Sequence, residues 1–133
     1  MESGMDAKLS LGQALKVTAL GLLVWFVGAL AVRIGRPLGL FEAYLPLVYA
    51  ATVPIMFVTV WAIRRLAGLS DAQYPAGIAL GTAAAIACDG LIIAFSPALY
   101  GGPGPDLAVG AAWILWAGAV GFVPPLLALS RSR

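Results

Sequence analysis

The chain has 133 residues, of which 62% are apolar and 11% charged, and its mean hydropathy is +0.97. Water-soluble domains run at roughly half apolar and a quarter charged, so these proportions exclude an ordinary soluble enzyme and indicate a membrane protein. Eight basic residues against six acidic ones leave a net charge of +2, too small a surplus for a nucleic-acid partner, and the absence of histidine with a single cysteine, Cys88, excludes histidine acid–base chemistry, a Cys/His zinc site and an intrachain disulfide.

The charged residues divide the chain into four apolar runs, at about 15–33, 44–63, 75–96 and 107–129. A helix crossing the hydrocarbon needs about 20 residues. Inside lipid every backbone N–H and C=O must be paired within the segment, so runs of this length become helices. The expected fold is an all-α, four-helix transmembrane bundle with short loops, a single membrane domain over residues 1–133. The first run follows Lys8 and Lys16, but its apolar stretch is longer than the about 7–15 residues of a secretory signal, and it reads as a retained span. With the N-terminus inside, Lys8, Lys16, Arg64, Arg65, Arg131 and Arg133 lie on the cytoplasmic side, and only Arg33 and Arg36 outside. That asymmetry places both termini in the cytoplasm.

In the first helix Trp25 lies near the middle and fills space between helices. Gly35-Arg36-Pro37-Leu38-Gly39 is a turn sequence. The second helix carries Pro54, which supplies no N–H and clashes with the carbonyl of Ala50, so a kink is expected there. Tyr49, Thr52, Met56 and Thr59 lie along one broad side of it. Ser70 or Asp71 is placed to cap a helix starting near Pro75. On the third helix Gly77, Gly81, Ala84 and Cys88 form one stripe suited to close helix packing, with Thr82, Ala85, Asp89 and Ser96 on the adjoining stripe. The segment Gly101-Gly102-Pro103-Gly104-Pro105-Asp106 cannot continue a helix, and Asp106 is placed to cap the fourth. That helix offers Gly110, Ala117 and Gly121 for packing, with Trp113 near its rim.

Asp89 is the expensive residue. A carboxylate at bilayer depth costs about 3 kcal/mol on insertion scales, which makes it a functional candidate by default. Arg33, Tyr49 and Trp113 fall at similar depth on the other three helices. The expectation is an intramembrane polar cluster in which Arg33 pairs with Asp89 and Tyr49 or Trp113 donates a further hydrogen bond, Glu42 being the competing partner for Arg33.

Leu23-Val24-Trp25-Phe26-Val27-Gly28-Ala29-Leu30-Ala31-Val32-Arg33-Ile34-Gly35 resembles the first helix of small bacterial four-helix membrane proteins grouped as a domain of unknown function. Asp89-Gly90-Leu91, Phe95-Ser96-Pro97 and Gly110-Ala111-Ala112-Trp113-Ile114-Leu115-Trp116 are similar to the third and fourth helices of that group. The likeness covers about residues 12–128. It implies a four-helix fold in the bacterial inner membrane, with Trp25, Gly28, Arg33, Asp89, Pro97 and Trp113 matching the pattern, and it brings no activity with it.

Three classes of function compete. The first is a non-catalytic protein of structural or accessory type, associating through Gly/Ala helix faces with itself or with a larger membrane complex. The second is a small proton-coupled transporter using Asp89 as its titratable group, although multidrug-type transporters of this size carry their acid in the first helix and this first helix has none. An enzyme ranks third and is not expected. Its only chemical groups would be Asp89, Arg33, Tyr44, Tyr49 and Cys88, and apolar surroundings leave the Cys88 thiol inert. No metal or cofactor is called for; a bound lipid, quinone or pigment would need only an apolar groove.

Overall fold

The computed structural model describes residues 6–131; Glu2 and Arg133, which the charge count includes, lie outside them. The described residues fold as α1 Leu11–Gly35, α2 Leu45–Ala67, α3 Tyr74–Phe95, a short 3-10 turn Pro97–Tyr100, α4 Pro105–Gly121 and α5 Val123–Arg131. Helices α1, α2 and α3, and α4 with α5 as a fourth segment, are long and apolar enough to cross a membrane, at hydropathies of 1.8–2.1. No strand occurs among the described residues.

The helix ends follow local chemistry. Ser10 and Gln13 form a capping box at the start of α1: the Ser10 hydroxyl accepts from the Gln13 N–H, and the Gln13 amide oxygen accepts from the Ser10 N–H. Gly68 closes α2 in the left-handed region at φ 65°, which glycine adopts without strain. Ser70 and Gln73 exchange hydrogen bonds in the turn before α3, while Asp71 is drawn away to Arg64. At α4 the N-cap position is Gly104, and Asp106 pairs with Arg36 instead of capping the helix as its position in the sequence suggested.

The fourth span is not the continuous helix expected over 107–129. It breaks at Phe122, because Pro124 and Pro125 supply no N–H for the carbonyls of Val120 and Gly121 one turn earlier. Pro54 has a milder result. Helix α2 continues through it unbroken, with Thr52 donating to Val48 O at 2.7 Å and Thr59 to Ile55 O at 2.7 Å on either side.

The bundle is built from two pairs. Helix α1 lies along α3, and α2 along α4, while contact between the pairs is thin along their middle. The α1–α3 pair closes on glycine: a Cβ on Gly21 would sit 2.4 Å from the Gly81 carbonyl oxygen, and one on Gly81 2.9 Å from that of Val17. No side chain fits there, so the backbones touch. Gly77 is covered by Leu69 from the preceding loop, and Ala84 and Cys88 are half-buried. Gly121 packs α4 onto Met56 and Val60 of α2, and Gly110 packs onto Val32 of α1. The pairs are joined at their two ends. One end is closed by Val17, Val60, Ala67, Leu69, Tyr74 and Ile78, the other by Ala29, Val32, Phe41 and Tyr100.

Candidate functional site

Asp89 lies six residues before the end of α3 and is 8% exposed. After Phe95 the chain turns back as the 3-10 segment Pro97–Tyr100, which carries the fully buried Tyr100 under the acid. The Tyr100 hydroxyl donates to Asp89 Oδ1 at 2.5 Å and accepts from Trp25 Nε1 at 2.9 Å. Burial first, and then the bond to Asp89, push that hydroxyl well above the usual phenol range, so it acts as a donor. The donors of this relay all point toward the acid: indole to phenol, phenol to carboxyl.

Tyr100 is held in place by Arg36. Nη1 of Arg36 donates to the carbonyls of Tyr100 at 2.6 Å and Gly102 at 2.5 Å, and Nη2 donates to Asp106 Oδ1 at 2.7 Å and to the Pro103 carbonyl at 3.4 Å. The Asp106 carboxylate raises the affinity of this guanidinium for its proton, against the opposing effect of burial. Gly101 and Gly102, at φ 93° and 86°, let the loop curl so that its carbonyls converge on one side chain. The guanidinium works as a fork with several donors, a task lysine cannot copy.

The expected Arg33–Asp89 pair does not form. Arg33 is exposed and makes no ion pair among the described residues, with Asp89 or with Glu42. The register of α1 against α3 explains this. With Gly21 opposite Gly81, Ala29 is level with Asp89, and Arg33 lies a further four residues, about 6 Å, toward the helix end. Tyr49 is also elsewhere: its ring stacks on Trp116 at 5.4 Å, and its carbonyl accepts from Trp116 Nε1 at 3.1 Å. Trp113 donates to Thr52 Oγ1 at 2.7 Å and meets the edge of Phe41 at 5.6 Å, so its N–H does not reach Asp89 either. Tyr100 supplies the hydrogen bond to Asp89 that the sequence reading gave to Tyr49 or Trp113; no cation among the described residues takes the place given to Arg33, and Arg36 acts on the acid only by holding Tyr100.

Between the two pairs lies a cleft of about 490 Å³, walled by all four spans. Asp89, Trp25, Thr52 and Trp113 border it toward one end, and Ala117 and Gly118 of α4 line it further along, Gly118 facing Thr82 and Ile86. From there it runs past aliphatic side chains such as Val24, Ile55 and Met56 to Ile63 and Gly77, about 18 Å along α3 from Asp89 at 1.5 Å per residue. The Asp89 Oδ2 oxygen has no hydrogen bond within the chain and is not sealed from this space. Among the described residues no three Cys, Asp or Glu side chains converge as a metal site would need.

The opposite end of the molecule carries a second polar set that the apolar runs did not reveal. Gln13 Nε2 donates to the Gly68 carbonyl at 2.9 Å and to Gln73 Oε1 at 3.0 Å, and Gln73 Nε2 donates to the Lys8 carbonyl at 2.7 Å. These bonds tie the start of α1 to the α2–α3 loop, where Arg64 pairs with Asp71 and lies over the Tyr74 ring at 4.9 Å. Both arrangements are structural. Comparison of the chain with protein-family models, curated proteins and solved structures finds no match.

Proposed function

We propose that this chain is a small membrane protein of accessory type that works by associating, through the outer face of α3, with a second copy or with a larger membrane complex. One observation carries the reading. Ala83, Ala87, Gly90 and Ala94 form a stripe about 60° wide along α3, all four are exposed, and a Cβ on Gly90 would meet nothing within 4 Å. Leu80 and Leu91 rise on one flank of the stripe and Ile86 on the other, all three exposed, so it is a groove between ridges of the kind that admits another helix closely. It is distinct from the Gly77–Gly81 face, which is consumed inside the molecule by Leu69 and α1. The excess of Lys and Arg at the chain ends and in the last turn of α2 supports a cytoplasmic location for both termini, and the resemblance to small bacterial four-helix proteins supports the inner membrane as the site of assembly.

The test is oxidative cross-linking in native membranes of Ala87→Cys in a Cys88→Ala background. A dimer or a defined adduct is expected, and Gly90→Leu in the same chain should abolish it. A chain that stays uncross-linked in membranes ends this reading.

A second reading, a small proton-coupled transporter, is favoured by the placement of Asp89 on the cleft. Its test is proton flux into liposomes, which Asp89→Asn abolishes on that reading and leaves unchanged on the accessory one.

A further inference from the structure

We propose that the cleft between the helix pairs is a binding site for a single-chain amphiphilic cation, a long-chain alkylamine or alkylammonium, with its charged head at Asp89 and its tail toward Ile63 and Gly77. The argument rests on which polar atoms the lining leaves open. Trp25 Nε1 is spent on Tyr100, the Tyr100 hydroxyl on Asp89, Trp113 Nε1 on Thr52, and the Thr52 and Thr59 hydroxyls on backbone carbonyls. What remains at the polar end is an acceptor, Asp89 Oδ2. The other uncommitted hydroxyl, Thr82, lies seven residues away along α3, about 10 Å. Beside the ionised acid an anionic or carbonyl head would find no donor.

A cation would find what it needs. No basic side chain borders the cleft: Arg36 is committed to Asp106, Arg64 to Asp71, and Lys16 and Arg33 are exposed elsewhere. The carboxyl is 92% buried with no positive partner in the described chain, and its ionised form needs one beside it, as buried charges ordinarily do. Two indoles, Trp25 and Trp113, border the same end, and with their N–H groups engaged they offer ring surface, which attracts cations. Beyond them the walls are aliphatic and the space is elongated, which suits one alkyl chain.

The site stands apart from assembly through α3. It deepens the transport reading by naming a cargo, but it requires only binding. The experiment uses the full chain in phosphatidylcholine nanodiscs with Trp61→Phe and Trp116→Phe, so that only Trp25 and Trp113 report. Dodecylpyridinium, whose head quenches indole fluorescence, is the probe. Saturable quenching is expected, displaced by dodecyltrimethylammonium and not by dodecanol. Asp89→Asn should weaken binding about tenfold or more. Gly28→Leu should abolish it while leaving the fold intact, because Gly28 borders the cleft and a Cβ there meets nothing within 4 Å. Displacement by dodecanol at the same concentration, or unchanged quenching in Gly28→Leu, overturns the proposal. If Asp89→Asn fails to fold, Gly28→Leu and the dodecanol comparison still decide it. Saturable binding without proton-coupled uptake retains the site and removes the transport reading.

Discussion

Gly21 and Gly28 stand two turns apart on the same helix, and the structure uses them in opposite ways. Around Gly21 the α1 and α3 backbones touch, so that even a methyl group would lie 2.4 Å from a carbonyl oxygen. Around Gly28 there is open space, the wall of a cleft of about 490 Å³. Two backbones thus touch where the facing helix also presents a small residue at the same level, as Gly81 does for Gly21. A glycine facing a larger side chain is filled by it, as Gly110 is by Val32, and one that nothing faces, such as Gly28, leaves a hollow. In lipid this difference matters more than in water, since helix association depends on close packing where no hydrophobic force distinguishes a neighbouring helix from an acyl chain.

The contrast can be broken most severely at the tight contact. Gly21→Leu must push α1 off α3, because the obstructing atoms are backbone, and a loss of about 3 kcal/mol or more is expected in SDS-titration unfolding. A stability within experimental scatter of the parent would show that the two helices are not in backbone contact. Next comes the comparison of the two arginines at the end of α1. Arg36→Met removes the side chain that gathers the Tyr100–Asp106 loop and should cost about 2–4 kcal/mol. Arg33→Met, one turn away and exposed, should stay within about 0.5 kcal/mol of the parent. The reverse order would restore an Arg33–Asp89 pair. A milder loss than that at Arg36 is expected from Tyr100→Phe, which removes one hydroxyl from between Trp25 and Asp89 and should cost about 1–3 kcal/mol with a shift in tryptophan emission. An unchanged emission would mean that Trp25 does not share in the relay.

The four helices of membrane-spanning length were legible in the sequence because charge and length act over whole segments, where small errors average out. The third helix was legible in part: its period placed Gly81 and Asp89 on different stripes, and they do meet different neighbours. The polar partners were not legible. Asp89 finds Tyr100, eleven residues on, because four residues wind as a 3-10 turn and fold back into the bundle, and no periodic pattern announces such a return. The choice between Arg33 and Arg36 turned on the register of two helices to within one turn, which a single chain does not encode locally. The break at Phe122 had a visible cause in Pro124-Pro125, yet hydropathy alone ran straight across it.

The Arg36 clamp has a consequence for how the molecule is made. Its carboxylate partner, Asp106, comes 70 positions later in the chain, at the start of the fourth span. While the first three spans are being inserted, this guanidinium has only water and lipid phosphate to satisfy it. This end of the bundle therefore closes only after the fourth span has been made. A chain cut short before the fourth span would present an unanswered cation and a loosened tyrosine.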